Sequence, residues 1–301
     1  MITVVGSLNM DLVTQSDRLP KPGETVLGRG FKQIPGGKGG NQAVAAAKLG
    51  YPVQMIGCTG KDSMGDLLRE SLKESGVKIE NVLEKDGAQT GIASIVVDKD
   101  GRNFITVAPG ANYELKLQDI SKLSSVITKS NLLLTQLETP LDTVRESLRI
   151  AKEAGIMTVL NPAPARELDD EILANTDILT PNETELELLS GLKTDSIENI
   201  KIAGKKLIAE GVKEIVVTLG SKGAMHITKD SDRYYEAYKV DAVDTTAAGD
   251  SFNGAMSVYL SQGKTMEEAI KFAMKVGALT VMREGAQTSL PTLEEVKAFK
   301  S

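Results

Sequence analysis

Short apolar runs rich in β-branched residues alternate with helical patterns over most of this chain, and that rhythm restricts the fold more than any other feature. Ile2–Gly6, Val53–Cys58, Asn131–Gln136, Ile156–Asn161, Asp177–Thr180 and Glu214–Leu219 read as strands. Several are apolar nearly throughout, as strands covered on both faces are. Helical patterns lie between them at Asn41–Leu49, Ser63–Ser75, Leu141–Ala154, Glu183–Leu189 and Ile197–Glu210, and Ala248–Ser261 and Met266–Arg283 follow. This order predicts a three-layer α/β/α fold with a mostly parallel central sheet. Ligands of such a sheet sit beyond the carboxyl ends of its strands.

Two segments break the rhythm. Asp11–Ile34 carries Pro20, Pro22, Gly23, Gly28 and Gly30 between short extended runs. Gln89–Ala108 reads as a hairpin, Ile92–Val97 and Asn103–Val107, joined around Asp98-Lys99-Asp100-Gly101, where Asp-Gly favours a tight turn. Both fall outside the alternation, so a small separate sheet is expected; the alternative is an edge extension of the main one. A chain of 301 residues fits one large domain, 1–301, with these segments inserted at about 11–36 and 89–108.

Several function classes are disfavoured early. A net charge of −6 provides no basic excess for non-specific nucleic-acid binding. Cys58 is the only cysteine, which excludes an intramolecular disulfide and a thiolate zinc cluster. His226 is the only histidine and lies in an alternating strand-like run with no nucleophile paired to it, so a structural role is expected. No apolar run approaches the roughly 18 residues that span a bilayer, and Met1–Gly6 has no basic leader pattern. A cytoplasmic protein without membrane or nucleic-acid partners is the expectation.

Asp244–Ala255 carries the clearest chemistry. Small residues open a helix with Asp250 in its first turn. Free N–H groups at such a start bind anions, and the helix dipole adds to the pull. Ala248 and Gly249 leave those amides open to a phosphate, while Asp250 could take a proton from an attacking hydroxyl. The plain alternative is that Asp250 only complements the helix dipole.

Other motifs surround this one in sequence. Gly36-Gly37-Lys38-Gly39-Gly40-Asn41 fits neither the P-loop nor the dinucleotide spacing, yet its backbone can be approached closely. It suits a hydroxyl-rich ligand with Asn41 as donor and acceptor, or a hinge for the small sheet. Asn9-Met10-Asp11 follows the first strand and places Asp11 at its carboxyl end; Glu138 follows Leu132–Leu137 in the same way. Both carboxylates could pair with sugar hydroxyls, or simply be solvated. Asn182 and Glu185 have capping-box spacing, which needs no ligand, but could also stand beside a magnesium–phosphate complex. Thr218-Leu219-Gly220-Ser221-Lys222-Gly223 ends a strand in a glycine-bracketed turn suited to backbone contacts with a nucleotide.

Together with Gln136-Leu137-Glu138, Asn161-Pro162-Ala163-Pro164-Ala165 and Arg283–Ser289, these motifs stand in the order found in the PfkB-type carbohydrate kinase family, which the chain resembles over nearly its whole length. The resemblance implies ATP-dependent phosphorylation of D-ribose at its 5-hydroxyl. Under it Asp250 is the base, and the amides of Ala247, Ala248, Gly249 and Asp250 form the anion hole. Asn9, Asp11, Gly37, Lys38, Asn41 and Glu138 surround the sugar. Asn182, Thr218, Gly220, Ser221, Gly223, Gly249 and Met274 lie along the ATP, and Glu185 near Mg2+. Asp244, the carbonyls of Thr246, Thr280, Arg283 and Gly285, and the Ser289 hydroxyl resemble a K+ site. The small sheet becomes a lid over the sugar and the contact of a homodimer. Met274 stands where such kinases often place a polar residue near the adenine, and Gly40 where alanine is frequent. Rival readings are a kinase of the same family acting on deoxyribose, fructose or adenosine, and a sugar-binding regulator without activity. An aromatic content of 4% supplies no obvious slot for a nucleoside base.

Overall fold

The computed structural model describes residues 1–299, so the last two residues of the expected 1–301 domain lie outside the described residues. In chain order the first strands are β1 (Ile2–Val5), β2 (Asn9–Ser16), β3 (Gly28–Gly36), β4 (Val53–Gly60), β5 (Lys78–Lys85), β6 (Gly91–Val97) and β7 (Asn103–Ala108). They are followed by β8 (Leu132–Thr135), β9 (Met157–Leu160), β10 (Ile178–Leu179), β11 (Glu214–Thr218), β12 (Gly223–Ile227) and β13 (Asp232–Glu236). Nine of them form the main sheet in the order β13-β12-β11-β10-β9-β8-β1-β4-β5. It is parallel from β5 to β11 and antiparallel only at β12 and β13.

Alternation along the strands explains why they are apolar throughout. Ile2, Val4, Leu132, Leu134, Val159 and Val216 face a layer built from Ala43, Val44, Phe252, Met256 and Ile270, on the helices Lys38–Lys48, Ala248–Ser261 and Met266–Val281. Val5, Leu133, Leu160, Leu179, Ile215 and Val217 face Val144, Leu148, Ile200 and Leu207, on the helices Leu141–Glu153 and Ile197–Ala209. Each buried Val, Leu, Ile, Met or Phe among these contributes about 1.5–3 kcal/mol. A charge at Leu133, in the middle of β8, would therefore break the second layer.

Two strands of the main sheet, β5 and β13, carry no apolar run. Both are edges: Lys-Ile-Glu-Asn-Val-Leu-Glu-Lys and Asp-Arg-Tyr-Tyr-Glu are charged because an unpaired edge faces water and charges there discourage further pairing.

The interrupting segments do form a separate sheet, in the order β3-β2-β6-β7, with β2 and β6 parallel and the outer pairs antiparallel. Its β6–β7 turn is tight, as expected, with the Gly101 N–H bonded to the Asp98 carbonyl at 3.0 Å. Asp98 and Arg102 close a loop over 99–101, with Gly101 left-handed at φ 78° and the Asp98 carboxylate accepting from the N–H groups of Asp100 and Arg102.

The glycine-rich segment differs from expectation. The helix begins at Lys38, not Asn41, so Gly39 and Gly40 lie within its first turn. Gly37 has φ 84°, and a Cβ there would sit 2.6 Å from the Asn9 nitrogen; one on Gly39 would sit 2.7 Å from the Gly6 carbonyl carbon. The chain's own segment 6–9 therefore approaches the backbone closely at Gly37 and Gly39.

Candidate active site

Parallel strands deliver the candidate residues to one end of the sheet. Gly6–Leu8 leave β1, Gln136–Glu138 leave β8, Asn161 leaves β9, Thr180–Asn182 leave β10, and Thr218 ends β11. Asp11 departs from its expected place. The chain stays extended past β1, so Asp11 is the third residue of β2 in the small sheet, opposite Ile34 and Ala93.

Asp250 occupies the first turn of the helix Ala248–Ser261 and is buried. Asn41 Nδ2 donates to its Oδ2 at 2.9 Å and Gln42 Nε2 to its Oδ1 at 3.0 Å. Dipole complementation alone would leave such a carboxylate in solvent; here two buried amides hold it. The residue before the helix, Ala247, is the only non-glycine among the described residues with positive φ, at 58°. An alanine in this region is strained by roughly 1–2 kcal/mol, and such strain collects at functional turns. The first helical return bond is Ser251 N–H to the Ala247 carbonyl at 2.8 Å, so the N–H groups of Gly249 and Asp250 lie ahead of the ladder. A Cβ built on Gly249 would meet nothing within 4 Å, so packing does not require glycine there.

Charges from four segments converge on Lys38. Burial alone would lower its pKa, but Asp250, Glu138, Glu185 and Asp11 outweigh burial and raise it. Asp11 is pushed up to about 7 by burial, then by Glu138 and Asp250, against the pull of Lys38. Glu185 is also raised by burial, despite the Asn182 N–H and Lys38. Glu138 is fixed from below by the Ser7 hydroxyl and by the Lys38 N–H at 3.1 Å. Asn9 accepts from Asn112 Nδ2 at 2.8 Å, which fixes its amide beside β6. Asn41 Oδ1 is buried without a partner, an acceptor left free beside Asp250.

Asn182 and Glu185 make the capping box expected of them, with bonds of 2.9 and 2.8 Å. Asn182 also bridges Thr218 in parallel fashion, so these two candidate segments lie side by side. Past Thr218, the Leu219 N–H bonds the Gly223 carbonyl at 2.8 Å and leaves Gly220 and Ser221 exposed at the tip of the turn. Met274 is half-buried on the helix Met266–Val281 and packs against the core.

Asp244 gathers a third group. Its Oδ1 accepts from the Thr246 N–H at 2.9 Å and the Thr246 hydroxyl at 2.6 Å, and its Oδ2 from the Gly285 N–H at 2.9 Å. These bonds outweigh burial and lower its pKa. The Val281 carbonyl accepts from Val243 and Asp244, which brings 243–246 against the helix end carrying Thr280 and Arg283. Of the candidate carbonyls, that of Thr280 is partly engaged already, by the Arg283 N–H at 3.2 Å, while the Arg283 side chain pairs with Glu295. Ser289 donates to the Ala286 carbonyl at 2.7 Å, which leaves its oxygen lone pairs available. Among the described residues no three carboxylate, imidazole or thiol groups form a metal cage.

The remaining singled-out residues stand apart. His226 bonds Glu214 at 2.8 Å across β11 and β12, a structural pair as expected. Cys58 is buried in the second layer and its thiol is pushed up to about 12 by burial, which makes it unreactive. Clefts of about 490 Å3 beside Lys85–Gln89 and about 480 Å3 between Lys152 and Glu214 border none of the residues around Asp250.

One part of the site has no role in the sequence reading, although Gln136 and Asn161 stand in its motifs. Gln42, Gln136 and Asn161 form a buried amide network behind Asp250: Gln136 Nε2 donates to Gln42 Oε1 at 2.6 Å, and Gln42 Nε2 donates to Asn161 Oδ1 at 3.1 Å. Polar residues in otherwise small or apolar runs, at Gln42 and Gln136, were the available signal.

This arrangement offers a turn with N–H groups ahead of the helix ladder, an oriented carboxylate and acidic groups around one lysine, which suits phosphoryl transfer to a hydroxyl. Comparison with known proteins agrees. The model of the pfkB family carbohydrate kinases matches residues 1–293. The ribokinase of Haemophilus influenzae is 41% identical over 298 residues, covering 99% of this chain and 97% of that protein. The deoxyribokinase of Salmonella typhi is 39% identical over 301 residues, covering 100% and 98%. The structure of Arabidopsis thaliana ribokinase complexed with ribose and ATP superposes with a TM-score of 0.93 at 34% identity, covering 99% of each chain. This chain therefore belongs to the pfkB family of carbohydrate kinases.

Proposed function

We propose that the protein transfers the γ-phosphoryl group of ATP to the 5-hydroxyl of D-ribose, with Asp250 as the base. The observation that carries this reading is the Asp250 carboxylate, buried at the mouth of the anion-binding turn with both oxygens held by amides. Asn9, Asp11, Gly37, Lys38, Asn41 and Glu138 bind the sugar. The unpartnered Asn41 Oδ1 is an acceptor for one of its hydroxyls, and Asp11 and Glu138 take hydroxyls other than the one phosphorylated. The bond from the 5-oxygen to the γ-phosphorus forms as the bond to the β–γ bridging oxygen breaks. Asp250 receives the hydroxyl proton late, because the transition state is loose, and ADP carries the electrons of the broken bond. In the turn Ala247–Asp250 the free N–H groups of Gly249 and Asp250 stabilise the charge on the transferring oxygens, while the Ala248 N–H is already bonded to the Thr245 carbonyl at 3.3 Å.

ATP lies along Thr218–Gly223 and Met274. Magnesium, when bound with its phosphates, would neutralise charge there. Asn182 and Glu185 face that complex through water. Potassium at Asp244 would order the anion-binding turn two residues away. Hard oxygen donors fit it, since the Asp244 carboxylate is held ionised and draws Thr246 and Gly285 together. The small sheet acts as a lid over the sugar. Leu27, Phe31, Phe104, Ile105 and Val107 on and beside it are exposed, more apolar surface than one sugar can cover, so we assign it also as the contact of a homodimer. No helix of the described residues is long and apolar enough to cross a membrane; with ATP as donor, the cytoplasm is the proposed location.

Deoxyribose is the second reading, favoured by the full-length match to a deoxyribokinase. An inactive regulator is disfavoured by the intact Gly249-Asp250 turn. Steady-state kinetics with ATP on ribose, 2-deoxyribose, fructose and adenosine separate these readings. A charge-assisted hydrogen bond to the 2-hydroxyl is worth about 1.5–3 kcal/mol, so kcat/KM for ribose should exceed that for 2-deoxyribose by about 10–150-fold. A preference for 2-deoxyribose, or no ATP consumption with any sugar, would overturn the assignment.

A further inference from the structure

We propose that Gln42 is a positioning residue for Asp250, holding the carboxylate through a buried amide relay that the sugar does not touch. This rests on the reading of Asp250 as the base. Asn41 and Gln42 are consecutive on the helix Lys38–Lys48 and divide the carboxylate between them, Asn41 on Oδ2 and Gln42 on Oδ1. Asn41 keeps a free acceptor for a ligand. Gln42 keeps nothing free: it is 0% exposed, and its amide reaches Asp250, Asn161 and Gln136.

The direction of this relay is fixed by a group that cannot be reversed. Asn161 Nδ2 donates to the Thr180 carbonyl at 3.1 Å, and a backbone carbonyl can only accept. Asn161 must therefore turn its Oδ1 toward Gln42, and Gln42 must answer with its NH2 group, whose second hydrogen is left for Asp250. Gln136 Nε2 supplies the donor to Gln42 Oε1 on the opposite side. A second anchored bond braces the same turn. Asn253 Nδ2 donates to the Gly249 carbonyl at 2.8 Å, and its Oδ1 accepts from the Thr180 hydroxyl at 2.6 Å. Thr180 thus links the amide relay to the turn that carries Asp250. Gln136 comes from the loop after β8, Asn161 from that after β9 and Thr180 from that after β10. Three rigid strands together set the orientation of one carboxylate, as supporting shells around reactive groups do.

The test is a double-mutant cycle between Gln42→Met and Asp250→Asn, with kcat, both KM values and the melting temperature measured for each protein. Misplacing a reacting group by about an ångström costs on the order of 100-fold. Gln42→Met should therefore lower kcat by about 10–100-fold, with KM for ribose and for ATP within about threefold. In the Asp250→Asn background the same change should lower kcat no further, because a residue that acts through Asp250 has nothing left to position. Gln136→Met, which leaves Gln42 and all its other bonds in place, provides the same cycle if Gln42→Met fails to fold; a smaller kcat loss that also vanishes without Asp250 is expected. Equal kcat losses in both backgrounds, or a raised KM with kcat unchanged, would overturn the role of Gln42 while leaving Asp250 in place. Turnover surviving Asp250→Asn within a few-fold would instead remove the base reading, and the Gln42 proposal with it.

Discussion

Asp11 should weaken the fold in order to serve the site, and replacing it should separate the two effects. Its carboxyl is carried from an ordinary value of 3.8 up to about 7 by burial and by the neighbouring charges of Glu138 and Asp250. Folding then holds a proton that the unfolded chain releases. The stability this group contributes is complete below about pH 4 and is lost progressively as pH rises to about 7. At 1.36 kcal/mol per pH unit, the gap corresponds to about 4 kcal/mol at pH 8. Asn has the shape of Asp, fits beside Gly36 as Asp11 does, and never ionises. Asp11→Asn should therefore match wild type in stability near pH 4. It should become more stable than wild type by about 2–4 kcal/mol at pH 8, a melting difference of roughly 3–6 °C for a chain of this size. Denaturant unfolding and thermal scans at pH 4, 6 and 8 give the curve. At pH 8 the same variant should use ribose poorly, with kcat/KM reduced by about tenfold or more, while ATP binding is nearly intact, because an amide replaces a charged acceptor. Parallel stability curves for the two proteins across this range would refute the electrostatic argument, and equal losses of sugar and nucleotide binding would refute the placement of Asp11 at the sugar.

Three further outcomes are expected. Gly249→Ala should leave the melting temperature unchanged or higher, since a Cβ meets nothing within 4 Å and the helix gains propensity, yet lower kcat by crowding the anion-binding turn; wild-type turnover would show that no phosphate approaches there. Replacing potassium by lithium or a bulky organic cation should cut activity severalfold, with unchanged turnover counting against a cation at Asp244. Sedimentation at micromolar concentration should give a dimer, and Phe104→Asp on the exposed face of β7 should shift it toward monomer; a monomeric wild type refutes contact through the small sheet.

Much of the fold was legible because its strands are buried on two faces. Leu132, Leu133 and Leu134 must all be apolar when successive side chains enter different layers. The helix start at Ala248 and the capping box at Asn182–Glu185 were readable for local reasons, small residues before a carboxylate and an Asn three residues before a Glu. The edge strands β5 and β13 were not, because charge at an edge resembles a loop when the sheet is not in view. Asp11 reads as the end of β1 in the sequence because nothing local shows that an extended chain passes from one sheet to another. Lys38 and Gln42 mark the same limit within the site. The four carboxylates around Lys38 are separated from one another by up to 239 residues, and the Gln42 amide partners lie at positions 136, 161 and 250. Local pattern gives the residue types, and only the closed fold gives their partners.

The central claim is that Asp250 takes the proton of the attacking hydroxyl, and Asp250→Asn tests it most directly. Asparagine keeps the size and can still meet Asn41 and Gln42 after an amide rotation, but it offers no negative acceptor. Loss of a general base lowers kcat by about 10²–10⁴-fold, and here the variant should still fold and bind ATP and ribose. A carboxylate that only complements the helix dipole would instead cost about 1 kcal/mol or less of stability and leave turnover near normal. Measured together, kcat reduced at least 100-fold with a melting temperature close to wild type is the result this account predicts. Turnover within a few-fold of wild type would contradict it.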